Sequence, residues 1–235
     1  MAAFTSRDGG VSAPPFDSLN LGAAVGDDPA AVARNRQLAA AAFGRATDGI
    51  TWMRQVHGAG VAYAPARSGP LPAPDLLPAV DAIFTDAAAV TVGVLAADCA
   101  MVLIADGAAR IVGAAHAGRE GIAAGVVPAL VRSMTAAGAD PARMRAVIGP
   151  AICGACYEVP WQLRARIADD VPEAGCVTRK GSPGIDIRAG AAAQLARAGV
   201  RAVRQDRRCT AETPALYSYR RDGQTGRFAG LAWLA

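Results

Sequence analysis

Two histidines and one cysteine are the residues of this chain best suited to carry chemistry. His57 and His116 are the only histidines in 235 residues, and each lies beside a glycine motif, in QVHG and in HAG. Cys99 ends the acidic corner LAADC. Two imidazoles and a thiolate are a ligand set that Zn²⁺ uses in catalytic sites with an open fourth position. These donors suit zinc or copper better than Mg²⁺. Two alternative interpretations of the same residues remain: a Cys–His nucleophilic pair and an inert core cysteine.

The two apolar strands on either side of a turn position the thiol and the second imidazole. The residues Asp106–Ala109 are predicted to form the hairpin loop, which pairs Ala105 with Arg110. That register places Cys99 directly opposite His116. Opposed side chains on an antiparallel pair have Cβ atoms about 4.5–5.5 Å apart, a distance that one metal ion or one proton transfer can span.

An arginine lies on the buried stripe of the first helix. Asp27 or Asp28 caps this helix, which is predicted to run from Pro29 to about Phe43. Arg36 shares a helical stripe with three apolar residues, namely Val32, Ala39 and Phe43. From this pattern alone, the favoured interpretation is a packed stem with its guanidinium reaching water.

The remaining pattern predicts one α+β domain over residues 1–235, with mixed, largely antiparallel sheets flanked by helices. Strands cluster at the start, middle and end of the chain, and hairpins outnumber βαβ units. Neither a dinucleotide-binding nor a Walker motif occurs. The predicted elements are a strand-turn-strand over 50–63, a proline-rich loop over 64–79, strands at 81–85, 146–148, 185–187, 200–203 and 228–234, and helices at 121–137 (interrupted at Pro128), 161–169 and 189–198.

Composition and charge exclude several classes of function. The net charge is +4, without a block of like charges, and aromatic residues make up 5%, so nucleic-acid binding is not expected. No apolar stretch is long enough for a membrane span, and the N-terminus lacks the pattern of a signal peptide. The five cysteines are therefore expected to be reduced, and the cytoplasm is the expected location.

Two further motifs carry ligand-type residues. Cys153 and Cys156 form a C-x-x-C, which lacks the βαβ context of a redox motif. A second zinc site would need two more ligands, and counting cysteines leaves Cys176 and Cys209, so structural thiols are favoured. Asp98 either orients a histidine or caps the corner before Cys99, and the capping role is slightly favoured.

The chain resembles a known family over almost its whole length. The motifs SLNLG, VGDDPAAVARNR, RQVHG, LAADC, AAHAG, GPAI with CYEV, SYRRDG and TGR occur in the order seen in laccase-domain proteins, also called the peptidoglycan editing factor family. The match runs from about Phe4 to Leu234 and implies a single α+β domain.

The resemblance also implies a site and an activity. Zinc, with copper as a possible substitute, would be held by His57, Cys99 and His116. The implied reaction is phosphorolysis of adenosine, inosine, guanosine and methylthioadenosine, with adenosine deamination also attributed. Arg36 would help hold phosphate, and Asn20, Gln55 and Asp98 are weaker substrate-binding candidates. The implied partners are a nucleoside and inorganic phosphate, and the implied state is a monomer or small homo-oligomer.

Two alternatives come with the same family. One is a Cys–His hydrolase that edits peptidoglycan precursors, using Cys99 and His116. The other is a copper-binding polyphenol oxidoreductase, although a blue-copper site with a trinuclear cluster needs about ten histidines and this chain has two.

This sequence departs from the family pattern in two places. His116-Ala-Gly is followed by Arg119-Glu120, where the family usually has Trp-Arg. The usual Gly-Pro-Cys-Cys-Tyr is replaced by Cys153-Gly-Ala-Cys156-Tyr157. The metal ligands are expected to survive both changes, whereas the substrate preference is expected to change.

Overall fold

Two β-sheets form the centre of the structure. The computed structural model describes residues 1–66 and 78–235, so most of the predicted proline-rich loop lies outside the described residues. Twelve strands lie in this part of the chain: β1 Ala2–Phe4, β2 Ile50–Thr51, β3 Val61–Tyr63, β4 Ala82–Thr85, β5 Thr91–Ala96, β6 Ala100–Asp106, β7 Ile111–Ala117, β8 Arg145–Ile148, β9 Gly175–Val177, β10 Pro183–Ile185, β11 Ala202–Gln205 and β12 Phe228–Trp233.

Helices cover the outer faces of these sheets. The described helices are α1 Pro29–Ala42, α2 Arg119–Ala123, α3 Val126–Ala136, α4 Trp161–Asp170, α5 Ile187–Arg197 and α6 Tyr219–Asp222. The Asp28 side chain caps α1 by accepting the Ala30 N–H, as the sequence indicated. Gly125, in a left-handed conformation at φ 77°, separates α2 from α3, so the helix predicted over 121–137 is interrupted at Gly125 and not at Pro128. Pro128 lies in the first turn of α3, where it removes no helical hydrogen bond.

The strand order confirms the predicted α+β fold with mixed sheets. A four-stranded sheet has the order β1-β12-β5-β2, a six-stranded sheet has the order β11-β8-β6-β7-β4-β3, and β9 pairs with β10. Parallel pairing joins β2 to β5, β3 to β4 and β8 to β11, and the other pairs are antiparallel. β2 and β3 therefore lie in different sheets, which corrects the strand-turn-strand predicted over 50–63.

The core is divided into three apolar layers. One lies between the two sheets and includes Val92, Met101 and Phe228. A second lies between the six-stranded sheet and α2, α3 and α5, and a third lies between α1 and the four-stranded sheet. The face-to-face packing of the sheets brings the ends of β5, β6 and β7 together at one edge, where Cys99 and His116 lie.

Local side-chain bonds shift several predicted boundaries. Asp106 pairs with Ile111 at the end of the β6–β7 hairpin, so the loop is residues 107–110 and not 106–109. The Asp106 carboxylate accepts the Ala108 and Ala109 N–H groups and thereby starts the turn one residue later. In the same way, Asp186 caps α5, which ends the strand predicted over 185–187 at Ile185. The strand predicted over 200–203 lies at Ala202–Gln205.

Candidate active site

The two histidines and Cys99 come together at one end of the sheets, as the cleft cluster. The ligand atoms of His57, Cys99 and His116 lie within 4.8 Å of one another. The two imidazoles meet edge to face, with ring centroids 4.8 Å apart. His116 is buried, Cys99 is half-buried and His57 is exposed, so the cluster opens from the core toward solvent.

The register of the hairpin corrects how Cys99 and His116 meet. Met101 lies opposite His116, and continuing that register places Cys99 opposite Gly118. Cys99 and His116 are therefore diagonal neighbours on the same face of the sheet, which longer side chains can still bridge. A Cβ atom at Gly118 would lie 2.9 Å from the Cys99 Sγ and 3.3 Å from the His57 Cδ2. The glycine of the HAG motif thus leaves the space in which the cluster forms.

A buried carboxylate that the sequence reasoning missed positions both histidines. Asp81 accepts the backbone N–H groups of Val56 at 3.1 Å, His57 at 2.9 Å and Gly58 at 2.7 Å. Its Oδ1 also bonds His116 Nδ1 at 2.8 Å. These bonds hold the turn at His57, whose φ is 61°, and leave Nε2 of His116 available to a ligand. The signal in the sequence was an acidic residue directly before the apolar strand AIFT.

Charge is stabilised inside the cleft cluster. Burial would raise the pKa of the Cys99 thiol, but the charge of His116 and hydrogen bonds from both histidines outweigh burial and lower it to about 6. Burial would lower the pKa of His116, but Cys99 and Asp81 outweigh it and raise the pKa to about 9. Burial likewise opposes charge on Asp81, while its hydrogen bonds hold the pKa of that carboxyl below its usual value. The site therefore favours a thiolate beside an imidazolium.

Asp98 and Gln55 tie neighbouring segments to the cluster. The Asp98 carboxylate accepts the hydroxyls of Thr210 at 2.5 Å and Ser218 at 2.7 Å, and the Arg220 N–H at 2.6 Å. Asp98 therefore caps the corner before Cys99, whereas Asp81 takes the role of orienting a histidine. The Gln55 amide exchanges two hydrogen bonds with the backbone of Leu95 and fixes the segment that leads to His57.

Arg36 reaches the same cleft from α1. Its Nε and Nη2 donate to the Leu21 carbonyl at 3.0 and 2.9 Å, and its guanidinium lies 4.8 Å from the centre of the Trp52 ring. Burial lowers its pKa to about 10. From the helical pattern alone, the guanidinium was expected to reach open water. Instead it lines the cleft.

A second arginine, which the sequence reasoning did not identify, shares these properties. Arg227 donates to the carbonyls of Thr225 and Gly226, and burial lowers its pKa. The Asn20 Oδ1 accepts the backbone N–H of Arg227 at 2.8 Å, which holds the backbone of this arginine in place. Within residues 1–66 and 78–235, neither Arg36 nor Arg227 forms a salt bridge, so both cations are available to an anion.

The cleft has a volume of about 1010 Å³. Its lining combines the cleft cluster with charged and apolar side chains, among them Arg36, Met53, Gln55, Asp98, Arg119, Glu120, Ile152, Tyr157, Ile187, Arg220 and Arg227. Asn20 is fully buried and does not belong to this lining, which gives it a supporting position and not a contact position.

Arg119 and Glu120, which replace the family's usual Trp-Arg, form one wall of this cleft together with Tyr157. Arg119 donates to the Tyr157 hydroxyl at 2.8 Å and to Glu120 at 3.2 Å. Glu120 in turn accepts two hydrogen bonds from Arg166. Arg220 lies 5.1 Å from the centre of the Tyr157 ring. The changed wall is therefore a chain of ion pairs and aromatic contacts that ends beside the cleft cluster.

Known proteins resemble this chain along its whole length. A model of the family described as multi-copper polyphenol oxidoreductase laccase matches residues 1–235. A Streptomyces coelicolor protein named purine nucleoside phosphorylase is 52% identical over 98% of this chain and 94% of its own length. A protein of that name from Mycobacterium tuberculosis strain H37Rv is 44% identical over 98% of this chain and 90% of its own length.

Solved structures share the fold. The crystal structure of YlmD from Geobacillus stearothermophilus has a TM-score of 0.88 at 31% identity, covering 100% of this chain and 92% of that one. Neisseria meningitidis protein NMB0706 gives 0.85 at 37% identity over 99% and 93% of the two chains. Among the described residues, no helix is both long and apolar enough to cross a membrane.

Proposed function

This chain belongs to the multi-copper polyphenol oxidoreductase laccase family, and we propose that within this family it is a zinc-dependent purine nucleoside phosphorylase. The observation that carries the proposal is the shared cleft, in which an open three-ligand cluster and two half-buried arginines line the same cavity. The names of the Streptomyces and Mycobacterium relatives support the same activity.

The donor atoms of the cleft cluster fit a zinc ion. Three ligands of one Zn²⁺ ion at 2.0–2.3 Å stand roughly 3.3–3.8 Å apart, which is compatible with donor atoms within 4.8 Å of one another. His57, Cys99 and His116 would hold the ion, and Asp81 behind His116 is the carboxylate that metal-bound histidines commonly use. When bound, zinc would supply a Lewis acid at the open position. Copper also suits these donors, so metal analysis is part of the test.

The arginines suit phosphate, the second substrate of a phosphorylase. Arg36 and Arg227 keep N–H groups for charge-assisted bonds to phosphate oxygens, and holding the anion beside the nucleoside supplies proximity. A phosphate oxygen then attacks ribose C1′ as the bond from C1′ to the purine nitrogen breaks, which yields ribose 1-phosphate and a free base. Met53, Ile152 and Ile187 offer apolar contacts to a purine face.

The test uses the full chain with inorganic phosphate and four nucleosides: adenosine, inosine, guanosine and methylthioadenosine. Zinc-loaded protein should release the free base and the corresponding sugar 1-phosphate, which is ribose 1-phosphate for the first three nucleosides and 5-methylthioribose 1-phosphate for methylthioadenosine. A chelator should stop the reaction and zinc should restore it. Omitting phosphate should remove the sugar phosphate, and inosine formed from adenosine would reveal the predicted deamination. Zinc-loaded protein that releases no base from any of the four would refute the proposal.

A Cys–His hydrolase acting on peptidoglycan precursors is the second candidate. The observation that favours it is the order Cys99, His116, Asp81, in which a thiol contacts a histidine that a carboxylate orients. Metal bound at Cys99 separates the two candidates, because an ion on Cys99 protects its sulfur from alkylation. Protein without metal at Cys99 that hydrolyses a precursor peptide, and that loses this activity when Cys99 is alkylated, would favour this alternative.

A further inference from the structure

A second group of metal-ligand side chains lies outside the cleft lining. Cys153, Cys156, Cys209 and Glu212 each offer one ligand atom, and all four atoms lie within 4.8 Å of one another. We call this group the thiol cluster. In the part of the chain that the structure describes, none of the four residues lines the cleft, so the thiol cluster is separate from the site described above.

Two short turns build the thiol cluster. In the first, the Cys153 carbonyl accepts the N–H groups of Cys156 and Tyr157, both at 3.0 Å. In the second, the Cys209 carbonyl accepts the Glu212 N–H at 3.1 Å. C-x-x-C and C-x-x-E turns each place their first and fourth side chains on one side of the chain. Counting cysteines alone could not reveal the site, because the fourth ligand is a glutamate.

The backbone locks the two turns against each other. Cys209 forms a parallel bridge with Ala151, and the Thr210 N–H donates to the Ala151 carbonyl at 3.2 Å. The Cys153 N–H donates to the Cys209 Sγ at 3.3 Å. A sulfur that accepts a backbone N–H is better able to carry negative charge. The geometry therefore holds three sulfurs in place without a disulfide.

We propose that the thiol cluster is a second, structural Zn²⁺ site with Cys153, Cys156, Cys209 and Glu212 as its four ligands. Thiolate donors select zinc over Mg²⁺ or Ca²⁺, and four protein ligands close the tetrahedron, as in structural sites. Binding releases the thiol protons to solvent. Arg179, which lies 2.8 Å from Glu212, offsets part of the negative charge of the ligand set.

The position of the thiol cluster indicates what the ion would stabilise. The first turn leads into Tyr157, which lines the cleft. The second carries Thr210, whose hydroxyl donates to Asp98 beside Cys99. Zinc bound between the turns would fasten this wall of the cleft to the corner that carries Cys99, while taking no part in the reaction.

Metal counting on the full chain tests the second site. Zinc-loaded wild-type protein, dialysed without free metal, should hold two ions per chain. Cys99→Ala should retain one ion, and so should Cys156→Ser and Cys209→Ser. Cys176→Ser is the matched control, because Cys176 is the cysteine outside both clusters, and it should retain two.

Cobalt substitution adds a readout that does not depend on activity. The thiolate-to-Co²⁺ charge-transfer absorption should correspond to four sulfur ligands in the wild type, three in Cys99→Ala and one in Cys209→Ser. Glu212→Gln should weaken retention of the second ion and lower the melting temperature of the loaded protein. Glu173→Gln is its control, since Glu173 is about equally exposed and also pairs with an arginine.

One ion in the wild type and none in Cys99→Ala would overturn the proposal. A disulfide among Cys153, Cys156 and Cys209 in protein kept under reducing conditions with zinc would also overturn it. Both results come from the wild type and from Cys99→Ala, in which the thiol cluster is intact, so they hold even if Cys209→Ser fails to fold. A phosphorylase assay that fails while two ions are bound would reject the proposed function but leave the second site in place.

Discussion

The cleft cluster and the thiol cluster use similar ligands in opposite arrangements. The cleft cluster has three ligand residues, lines a cavity of about 1010 Å³ and keeps its carboxylate, Asp81, behind His116. The thiol cluster has four ligand residues, lies away from that cavity and places its carboxylate, Glu212, within the ligand set. An open site leaves room for a substrate, and a closed site has none.

The difference shows that position in the fold decides the use of a cysteine. Cys99 lies directly before β6, at the edge where the two sheets meet, and it lines the cleft. Cys209 packs in the apolar layer between the six-stranded sheet and its helices, where a bound ion can only join chain segments. Ligand type alone therefore does not separate a reactive site from a structural one.

The largest expected effect comes from removing the cleft thiol. Cys99→Ala should reduce kcat/KM for phosphorolysis by about 10³-fold or more, since metal charge stabilisation contributes several kcal/mol. Cys156→Ser, in the thiol cluster, should retain measurable turnover and lose thermal stability instead. Equal losses of activity in the two variants would show that the clusters do not differ in function.

The next effect separates phosphate binding from metal binding. Arg36→Ala should raise the KM for phosphate by roughly 10- to 150-fold, which corresponds to about 1.5–3 kcal/mol for hydrogen bonds to a charged group. Arg34→Ala is the control on the same helix, because Arg34 is exposed and bonds to Gln37. Metal content should be unchanged in both variants. A changed KM for the nucleoside with an unchanged KM for phosphate would place Arg36 elsewhere in the reaction.

The sequence predicted the fold class because the strongest signals are local. Caps such as Asp28, turn glycines and apolar runs mark most helices and strands within a few residues. Pairings between distant segments leave no such signal. β2 joins β5 through a parallel ladder, and nothing in residues 50–63 distinguishes that arrangement from a hairpin.

The site was predictable only as far as residue type allowed. Two histidines and one acidic-corner cysteine pointed to a metal, and the structure brings their side chains together. The predicted opposition of Cys99 and His116 was wrong by two residues, because a buried Asp106 extends the strand before the turn and places Cys99 opposite Gly118. Asp81, Arg227 and Glu212 were missed because only the folded chain brings each of them beside residues that are distant in sequence.

Asp81 and Asp106 are both buried aspartates, one beside the cleft cluster and one at the far end of the β6–β7 hairpin, so mutating each of them compares these two places. Asp81→Asn removes the carboxylate that orients His116 and the His57 turn, and should cost about 10–100-fold in metal affinity at the cleft cluster. Asp106→Asn, at the far end of the hairpin, should leave that affinity unchanged. Titration of each variant with zinc and a competing chelator measures the difference. Unchanged affinity in Asp81→Asn would show that the cluster assembles without its carboxylate.

Asp106→Asn should have the smallest effect on activity but a clear effect on stability. Its carboxylate accepts the Asp140 N–H at 2.8 Å and an Arg143 N–H at 3.0 Å. Although burial opposes its charge, these bonds hold its pKa below the usual value. An asparagine would turn a donor toward these donors, so Asp106→Asn should lower the free energy of unfolding by about 1–3 kcal/mol at neutral pH.

The pH dependence distinguishes a charged contact from simple packing at Asp106. A carboxyl whose pKa is lowered on folding stabilises the fold above its unfolded pKa of about 3.9, and this contribution is lost as the pH falls through the lower folded value. Denaturant unfolding should therefore show that the free energies of unfolding of wild type and Asp106→Asn converge as the pH falls from 7 to about 3. Asp140→Asn, which alters an exposed partner of the same Arg143, should change stability little. If the difference in the free energy of unfolding between wild type and Asp106→Asn stays constant with pH, the effect of the substitution comes from packing and not from charge.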